Sequence, residues 1–379
     1  MIDSFIVSAR KYRPSTFKSV VGQESITMTL KSAIKNEQVA QSFLFCGPRG
    51  VGKTTCARIF AKALNCQYLS SDFEPCNECP SCKQFNESTS FNVYELDAAS
   101  NNSVEDIRSL VEQVRISPQG AKYKVYIIDE VHMLSNQAFN AFLKTLEEPP
   151  AYAKFIMATT EKHKIIPTIL SRCQVYDFKR INDNDIIKHL QYVSENENVT
   201  AETEALRVVA AKSDGALRDA LSIFDQLVSF TGKNISYQAT IENLNVLDVN
   251  HYITITDQLF SEDESAFLLL FDKILAKGFD GQHFISGLAS HFRNLLMAQS
   301  SDTISLMEMS DTMKELMREQ SKKVDKQLLF RAMELCNLCD FNYKISNNKR
   351  LSVEICLMQI NGNYLYKLKA AVRQSRERV

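Results

Sequence analysis

Short runs rich in β-branched and aromatic residues recur between residues 40 and 180, at 42–46, 93–97, 125–129, 155–159 and 174–178. Each has the length of a buried strand, and the stretches between them read as helices. This alternation predicts βα units and a mainly parallel five-stranded sheet. Beyond about residue 181 the strands are expected to disappear. Ile186, Ile187, Leu190 and Val193 follow helical spacing, as do Phe284, Leu288, Phe292, Leu295 and Leu296. A helix over about 264–277 should close at Gly278. The pattern divides the chain into an α/β domain over 1–180, a small helical domain over 181–243 and a second helical domain over 244–379.

The first predicted strand leads into Gly47-Pro48-Arg49-Gly50-Val51-Gly52-Lys53-Thr54, which fits the phosphate-loop pattern G-x-x-x-x-G-K-[ST]. A helix is expected from Thr55 to about Asn65. The glycines let the backbone curl so that its N–H groups face a β-phosphate, aided by the helix N-terminus. Lys53 would bring a point charge to the β- and γ-phosphates of ATP, and the Thr54 hydroxyl would complete a Mg²⁺ site. A chance glycine-rich turn is a poor alternative in a chain with only 11 glycines.

The third predicted strand ends in Asp129-Glu130. Asp129 would hold Mg²⁺ through its waters, and Glu130 would orient or deprotonate an attacking water. Acids also end buried strands merely to reach solvent. Their pairing with a phosphate loop is what points to chemistry, and an Asp-Glu pair favours water as the acceptor, hence hydrolysis.

Charge excludes little. The formal net charge of −1 over 379 residues gives no global basic surface, so contact with DNA would have to come from local patches or from several subunits together. No basic segment followed by an apolar one opens the chain, and no apolar run approaches a bilayer span, so a cytoplasmic protein without a membrane partner is expected. Its ten cysteines should then be reduced thiols or metal ligands. Cys66, Cys76, Cys79 and Cys82 form C-x₉-C-x₂-C-x₂-C, a spacing that suits a closed, structural, tetrahedral Zn²⁺ site. A redox thiol pair or unrelated thiols are the alternatives. Cys336 and Cys339 sit in an apolar helical run with no second pair nearby, and core packing is expected for them.

Phosphate loop, cysteine cluster and Asp-Glu strand end, in that order, resemble the gamma/tau subunit family of bacterial DNA polymerase III. So do Arg10-Lys11-Tyr12-Arg13-Pro14, Leu96-Asp97-Ala98-Ala99-Ser100, Asp129-Glu130-Val131-His132-Met133-Leu134 and Leu143-Lys144-Thr145-Leu146-Glu147-Glu148-Pro149-Pro150. Ser171-Arg172-Cys173 and Gly215-Ala216-Leu217-Arg218-Asp219-Ala220 complete the set, and the resemblance covers about residues 9–370. It implies an AAA+ P-loop module with a zinc insertion at about 66–82, a helical lid and a helical collar that joins subunits into a ring-like pentamer. The implied work is ATP-driven opening of a sliding clamp and its loading onto primed DNA. The implied partners are delta and delta-prime subunits, further gamma/tau copies, the beta clamp and primer-template DNA.

The resemblance also gives roles to residues whose own chemistry is ambiguous. Tyr12, Arg13 and Pro14 would border the adenine. Thr160 matches the polar sensor beside the γ-phosphate, with Thr159 an adjacent candidate. Arg218 would report that phosphate from the lid of the same subunit, and Arg172 would reach a neighbouring subunit's ATP as an arginine finger. Asn102 or Ser103, and Lys164 with Thr168, are candidates for tracking the DNA backbone from helix N-termini. A non-hydrolysing scaffold subunit would require a damaged site, yet Lys53, Thr54, Asp129, Glu130 and Arg218 are all present. A P-loop kinase or helicase would account for neither the cysteine cluster nor Ser-Arg-Cys.

Overall fold

The computed structural model describes residues 6–376, apart from positions 262, 264, 305, 308 and 310. Its chain forms two compact units, one ending at Thr240 and the other beginning at Ile241.

In the first unit, five parallel strands form one sheet. They are β1 (Ser42–Cys46), β2 (Val93–Asp97), β3 (Lys124–Asp129), β4 (Ala153–Thr159) and β5 (Gln174–Asp177), in the spatial order β2-β3-β4-β1-β5. Side chains alternate between the two faces, and each face buries its own set. Phe43, Phe45, Val125, Ile127 and Ile156 pack with Cys56, Ala57, Ile59 and Phe60 of the helix Lys53–Leu64. Leu44, Cys46, Tyr126, Ile128, Phe155 and Met157 pack on the opposite face with the helices Val104–Val114 and Asn136–Glu147. Both faces are covered by helices, which is why the strands read as near-continuous apolar runs.

β1 is paired on one side with β4, Ser42 opposite Phe155, and on the other with β5, Phe43 opposite Gln174. The chain therefore leaves β1 for the far edge of the sheet and works back to it. Loops at the carboxyl ends of the strands converge beside β1, where such sheets place their ligands.

After β5 come the helices Asp183–Glu197, Thr203–Ser213 and Leu217–Thr231. The expected absence of strands past residue 181 needs correction. Thr200–Ala201 (β6) and Asn234–Ile235 (β7) pair in parallel and tie the loops of this helical layer together. Two-residue strands are too short to display a period of two, so the pattern could not reveal them.

The second unit is helical among its described residues. Phe267, Phe271, Phe284, Leu288, Phe292 and Leu295 form its centre with Leu329, Val353 and Leu357. Cys336 and Cys339 are buried in that core, as expected for small apolar thiols. The helix preceding Gly278 spans Ala266–Ala276, and Gly278 follows it at φ +87°. No described helix is long and apolar enough to cross a membrane.

Candidate nucleotide site and cysteine cluster

The phosphate loop begins where β1 ends, and the Gly47 amide donates to the Thr159 carbonyl at 3.2 Å. Gly47 has φ +145°, and a Cβ there would run into the Phe178 carbonyl. Gly50 has φ +79°, with the Cβ of Ala216 2.9 Å from where its own would be. The curl of the loop depends on glycine at these positions. The buried Lys53 ammonium donates to the Gly47 and Pro48 carbonyls at 2.8 and 2.6 Å. Burial pulls its pKa down, while the nearby Glu130 and Asp129 act in the opposite sense.

The Thr54 hydroxyl donates to Asp129 Oδ2 at 2.6 Å, so the two residues predicted to share a Mg²⁺ site are in contact. Glu130 follows in a left-handed conformation, φ +46° and ψ +44°. Its Oε2 accepts from the Thr160 hydroxyl at 3.1 Å and from the Thr160 amide at 3.3 Å. Thr159 faces inward instead. It is fully buried, and its Oγ1 lies 3.0 Å from His132 Nδ1 and accepts from the Glu161 amide at 3.0 Å. Thr160 is therefore the threonine that meets Glu130. His132 reaches both carboxylates, 3.5 Å from Glu130 and 3.2 Å from Glu161.

Along the other side of the loop lies a cleft of about 720 Å³. Tyr12, Arg13 and Pro14 line it together with the loop from Arg49 to Thr55, Asp129, Glu130 and Arg218. Gly47, Pro48 and Thr160 face a neighbouring depression with Cys46, Lys162 and Asp177. The Arg218 amide meets the Gly50 carbonyl at 3.4 Å, bringing the helix Leu217–Thr231 to the loop. Tyr12 donates its hydroxyl to Glu197 at 2.5 Å, beside Lys11, which pairs with the same carboxylate at 2.6 Å. Lys11 and then Tyr12 hold Glu197 below the usual carboxylate range. The Ser8 amide donates to Asp225 at 2.7 Å, and Arg13 Nε donates to Thr55 Oγ1 at 3.3 Å.

Several lining residues had escaped the sequence. Val20, Val21, Ile181 and Leu221 supply apolar wall, and Asp97 stands in register with Asp129. The valines fall in no periodic segment, and Asp97 reads only as the end of a predicted strand and as part of a family motif. His132 likewise carries no signal apart from its place in such a motif.

Arg172 stands apart from the lining residues. One of its nitrogens donates to the Thr168 carbonyl at 2.7 Å and another to Glu147 at 2.8 Å. Ser103 caps the helix Val104–Val114, accepting from the Asp106 amide at 3.1 Å, and Lys164 pairs with Glu161 at 2.9 Å.

The four cysteines of the cluster bring their sulfurs within 4.8 Å of one another. Cys66 and Cys76 are 3.5 Å apart, and Cys76 and Cys82 are 3.9 Å apart. Tetrahedral Zn–S bonds of about 2.3 Å would separate sulfurs by about 3.8 Å, so the donor set fits such an ion. Amides support the thiolates: that of Cys76 points at Cys66 Sγ, and that of Cys79 at Cys76 Sγ, both at 3.3 Å. Burial raises the pKa of Cys76, but the amides of Cys79 and Glu78 together with the Cys66 and Cys79 thiols outweigh it and bring the thiol down to about 6. The polar stretch containing the cluster also holds a short helix, Pro80–Asn86, that sequence reading had not resolved.

A parallel sheet in this order, a glycine-dependent phosphate loop and an acidic strand end bonded to the loop's threonine define an AAA+ P-loop module. A family model described as "DNA polymerase III, delta subunit" matches residues 22–182, and one described as "DNA polymerase III clamp loader subunit, ATPase lid domain" matches 185–233. The chain is 39% identical over 351 residues to DNA polymerase III subunit tau of Bacillus subtilis, covering 93% of this chain and 62% of that protein. It is 33% identical over 371 residues to DNA polymerase III subunit gamma of Buchnera aphidicola subsp. Baizongia pistaciae, covering 94% and 97%. The tau subunit of Escherichia coli is 34% identical over 359 residues, covering 94% and 55%. The chain belongs to the gamma/tau subunit family of DNA polymerase III. It spans little more than half the length of these tau relatives, and nearly all of the gamma relative.

Proposed function

We propose that this chain is an ATP-hydrolysing subunit of a clamp loader, in which ATP binding and hydrolysis drive opening of a sliding clamp and its placement on primed DNA. The single observation that carries the reading is the Thr54–Asp129 contact at 2.6 Å, with Glu130 next in the chain and held by Thr160. That arrangement sets a metal-binding pair beside a carboxylate able to handle water, at the mouth of a phosphate loop.

In this reading ATP lies in the cleft, with adenine toward Tyr12, Arg13 and Pro14 and phosphates toward the loop from Gly47 to Thr55. Lys53 neutralises phosphate charge, and Arg218 approaches the γ-phosphate from the lid. Mg²⁺, held by Thr54 and Asp129, would offset charge on the phosphate oxygens. Glu130 accepts the proton of the attacking water, and Thr160 fixes the carboxylate in place. Arg172 serves the site of a neighbouring subunit, since it lies outside the cleft of its own chain. Zn²⁺ on Cys66, Cys76, Cys79 and Cys82 is structural, because four thiolates leave no open position.

Residues 1–180 form the ATP-binding domain, 181–243 the lid and 244–379 the collar for assembly with delta, delta-prime and further gamma/tau copies. Asn102, Ser103, Lys164 and Thr168 are the candidates for contact with the DNA backbone. ATP turnover measured with and without beta clamp, partner subunits and primer-template DNA tests the proposal. Stimulation by the full set, abolished by Lys53→Ala, is expected. Turnover indifferent to all of these additions would remove the clamp-loading reading.

A further inference from the structure

The cysteine cluster has an attachment that its role as a local staple does not require. Glu74, two residues before Cys76, accepts from the Phe17 amide at 2.7 Å through one carboxylate oxygen and from the Lys18 amide at 2.9 Å through the other. These amides open the short turn Phe17–Ser19, so the carboxylate caps it from outside. Lys31 pairs with Glu74 at 2.7 Å, and both side chains are largely shielded from solvent. Glu74 is itself held in a tight loop. Its amide donates to Ser70 Oγ at 3.0 Å, and its carbonyl accepts from the Ser70 amide at 3.0 Å.

The capped turn lies between two parts of the cleft wall. Pro14 precedes it, and Val20 and Val21 follow. Phe17 is buried in the same apolar cluster as Val20 and the phosphate-loop residue Val51. A displaced turn would therefore shift the wall on both sides of it and reach the phosphate loop only through Val51, while Lys53 is anchored on the Gly47 and Pro48 carbonyls and Thr54 on Asp129.

We infer that Glu74 is a positioning residue of the nucleotide pocket, through which the cysteine module sets the base-side wall. The inference rests on reading the cleft as an ATP site. It predicts an effect confined to the base end of the ligand. The full chain and its Glu74→Ala and Glu74→Gln variants should be titrated with ATP and with inorganic tripolyphosphate, which has no base. Glu74→Ala should weaken ATP binding about fivefold or more, because part of the loss of two hydrogen bonds at the turn reaches the wall, and leave tripolyphosphate within about twofold. Glu74→Gln retains one acceptor oxygen and should fall between the two. Unchanged ATP affinity in Glu74→Ala, or a parallel loss for both ligands, would overturn the inference alone. A parent chain that binds neither ligand would overturn the ATP-site reading and this inference with it.

Discussion

Glu130 occupies left-handed backbone that residues other than glycine rarely adopt, a conformation costing roughly 1–2 kcal/mol. The turn is tolerated because it aims the carboxylate at Thr160 rather than along the strand. Thr160 contributes two donors, of which only the hydroxyl can be removed by a shape-conserving change. Thr160→Val should leave nucleotide affinity near that of the parent while slowing hydrolysis by roughly tenfold or more, because the base loses a positioning hydrogen bond. Single-turnover hydrolysis alongside equilibrium binding would separate the two effects, and unchanged single-turnover hydrolysis would count against Thr160 as the residue that holds Glu130. At this scale the sequence was informative where chemistry demands a fixed spacing. Lys53, Thr54, Asp129 and Glu130 are legible because loop and strand end must match a phosphate and its metal. Spacing alone could not choose between Thr159 and Thr160, because the choice depends on which of them meets Glu130 and which meets His132 in the turn that follows. His132 shows the same limit: its partners, Thr159 and Glu161, lie on another segment of the chain.

Among the elements, strand positions were readable from apolar runs, as were the starts of β1, β2 and β5, whereas those of β3 and β4 were not. β3 and β4 begin earlier than the runs suggest because Lys124 and Lys154 are buried within them. Lys124 donates to the Gln113 and Ile116 carbonyls, and Lys154 to the Val39 carbonyl, so each ammonium is satisfied at the sheet's end. A lysine in a strand is invisible to a hydrophobic pattern. The cysteine module was legible in spacing but not in docking, since its link to the turn Phe17–Ser19 joins segments distant in sequence. Cys79 stands at the N-cap position of the helix that carries Cys82 without a side-chain capping bond, so Cys79→Ser should disturb the ligand set rather than the helix start. Metal analysis of untagged protein should give about one zinc per chain, with a clear fall in the variant and easier local proteolysis around residues 66–86. Near-zero zinc in folded parent protein would return the cluster to ordinary packing thiols.

For the molecule as a whole, assembly and pH give further tests. Arg172→Ala should bind ATP like the parent, yet in assembled rings hydrolysis should fall on the order of 10³-fold, as when a finger supplied in trans is lost. Mixing it with Lys53→Ala subunits, which keep Arg172, should restore part of the activity. Mixed rings with no recovery would assign Arg172 to its pairing with Glu147 instead. In the second unit, His291 is buried against Gln320 at 2.8 Å. Burial lowers its pKa from 6.5 to about 4, outweighing the hydrogen bond the ring donates to Gln320 Oε1 and the charge of Asp257, which raise it. The folded state thus keeps this imidazole neutral, while the unfolded chain protonates it below about pH 6.5. Stability should be lost progressively from that pH down to about 4, by about 3 kcal/mol at most. Melting curves at pH 7 and 5 should show His291→Gln losing less stability over this interval than the parent. An identical pH response would mean that other groups govern it.

The position of β1 in the sheet also has a consequence for the order of events during synthesis. The strand bearing the phosphate loop is the first of the sheet to emerge from a ribosome, but its partners lie in segments 153–159 and 174–177. β2 and β3, near neighbours in sequence and in space, can pair while β1 still waits. Nascent chains that stop short of residue 174 should be unable to retain nucleotide on an ATP resin, and retention should appear only once β5 is exposed. Until then the apolar stretch Phe43–Phe45 stands open to wrong partners, which makes this interval the one in which a holding chaperone matters most.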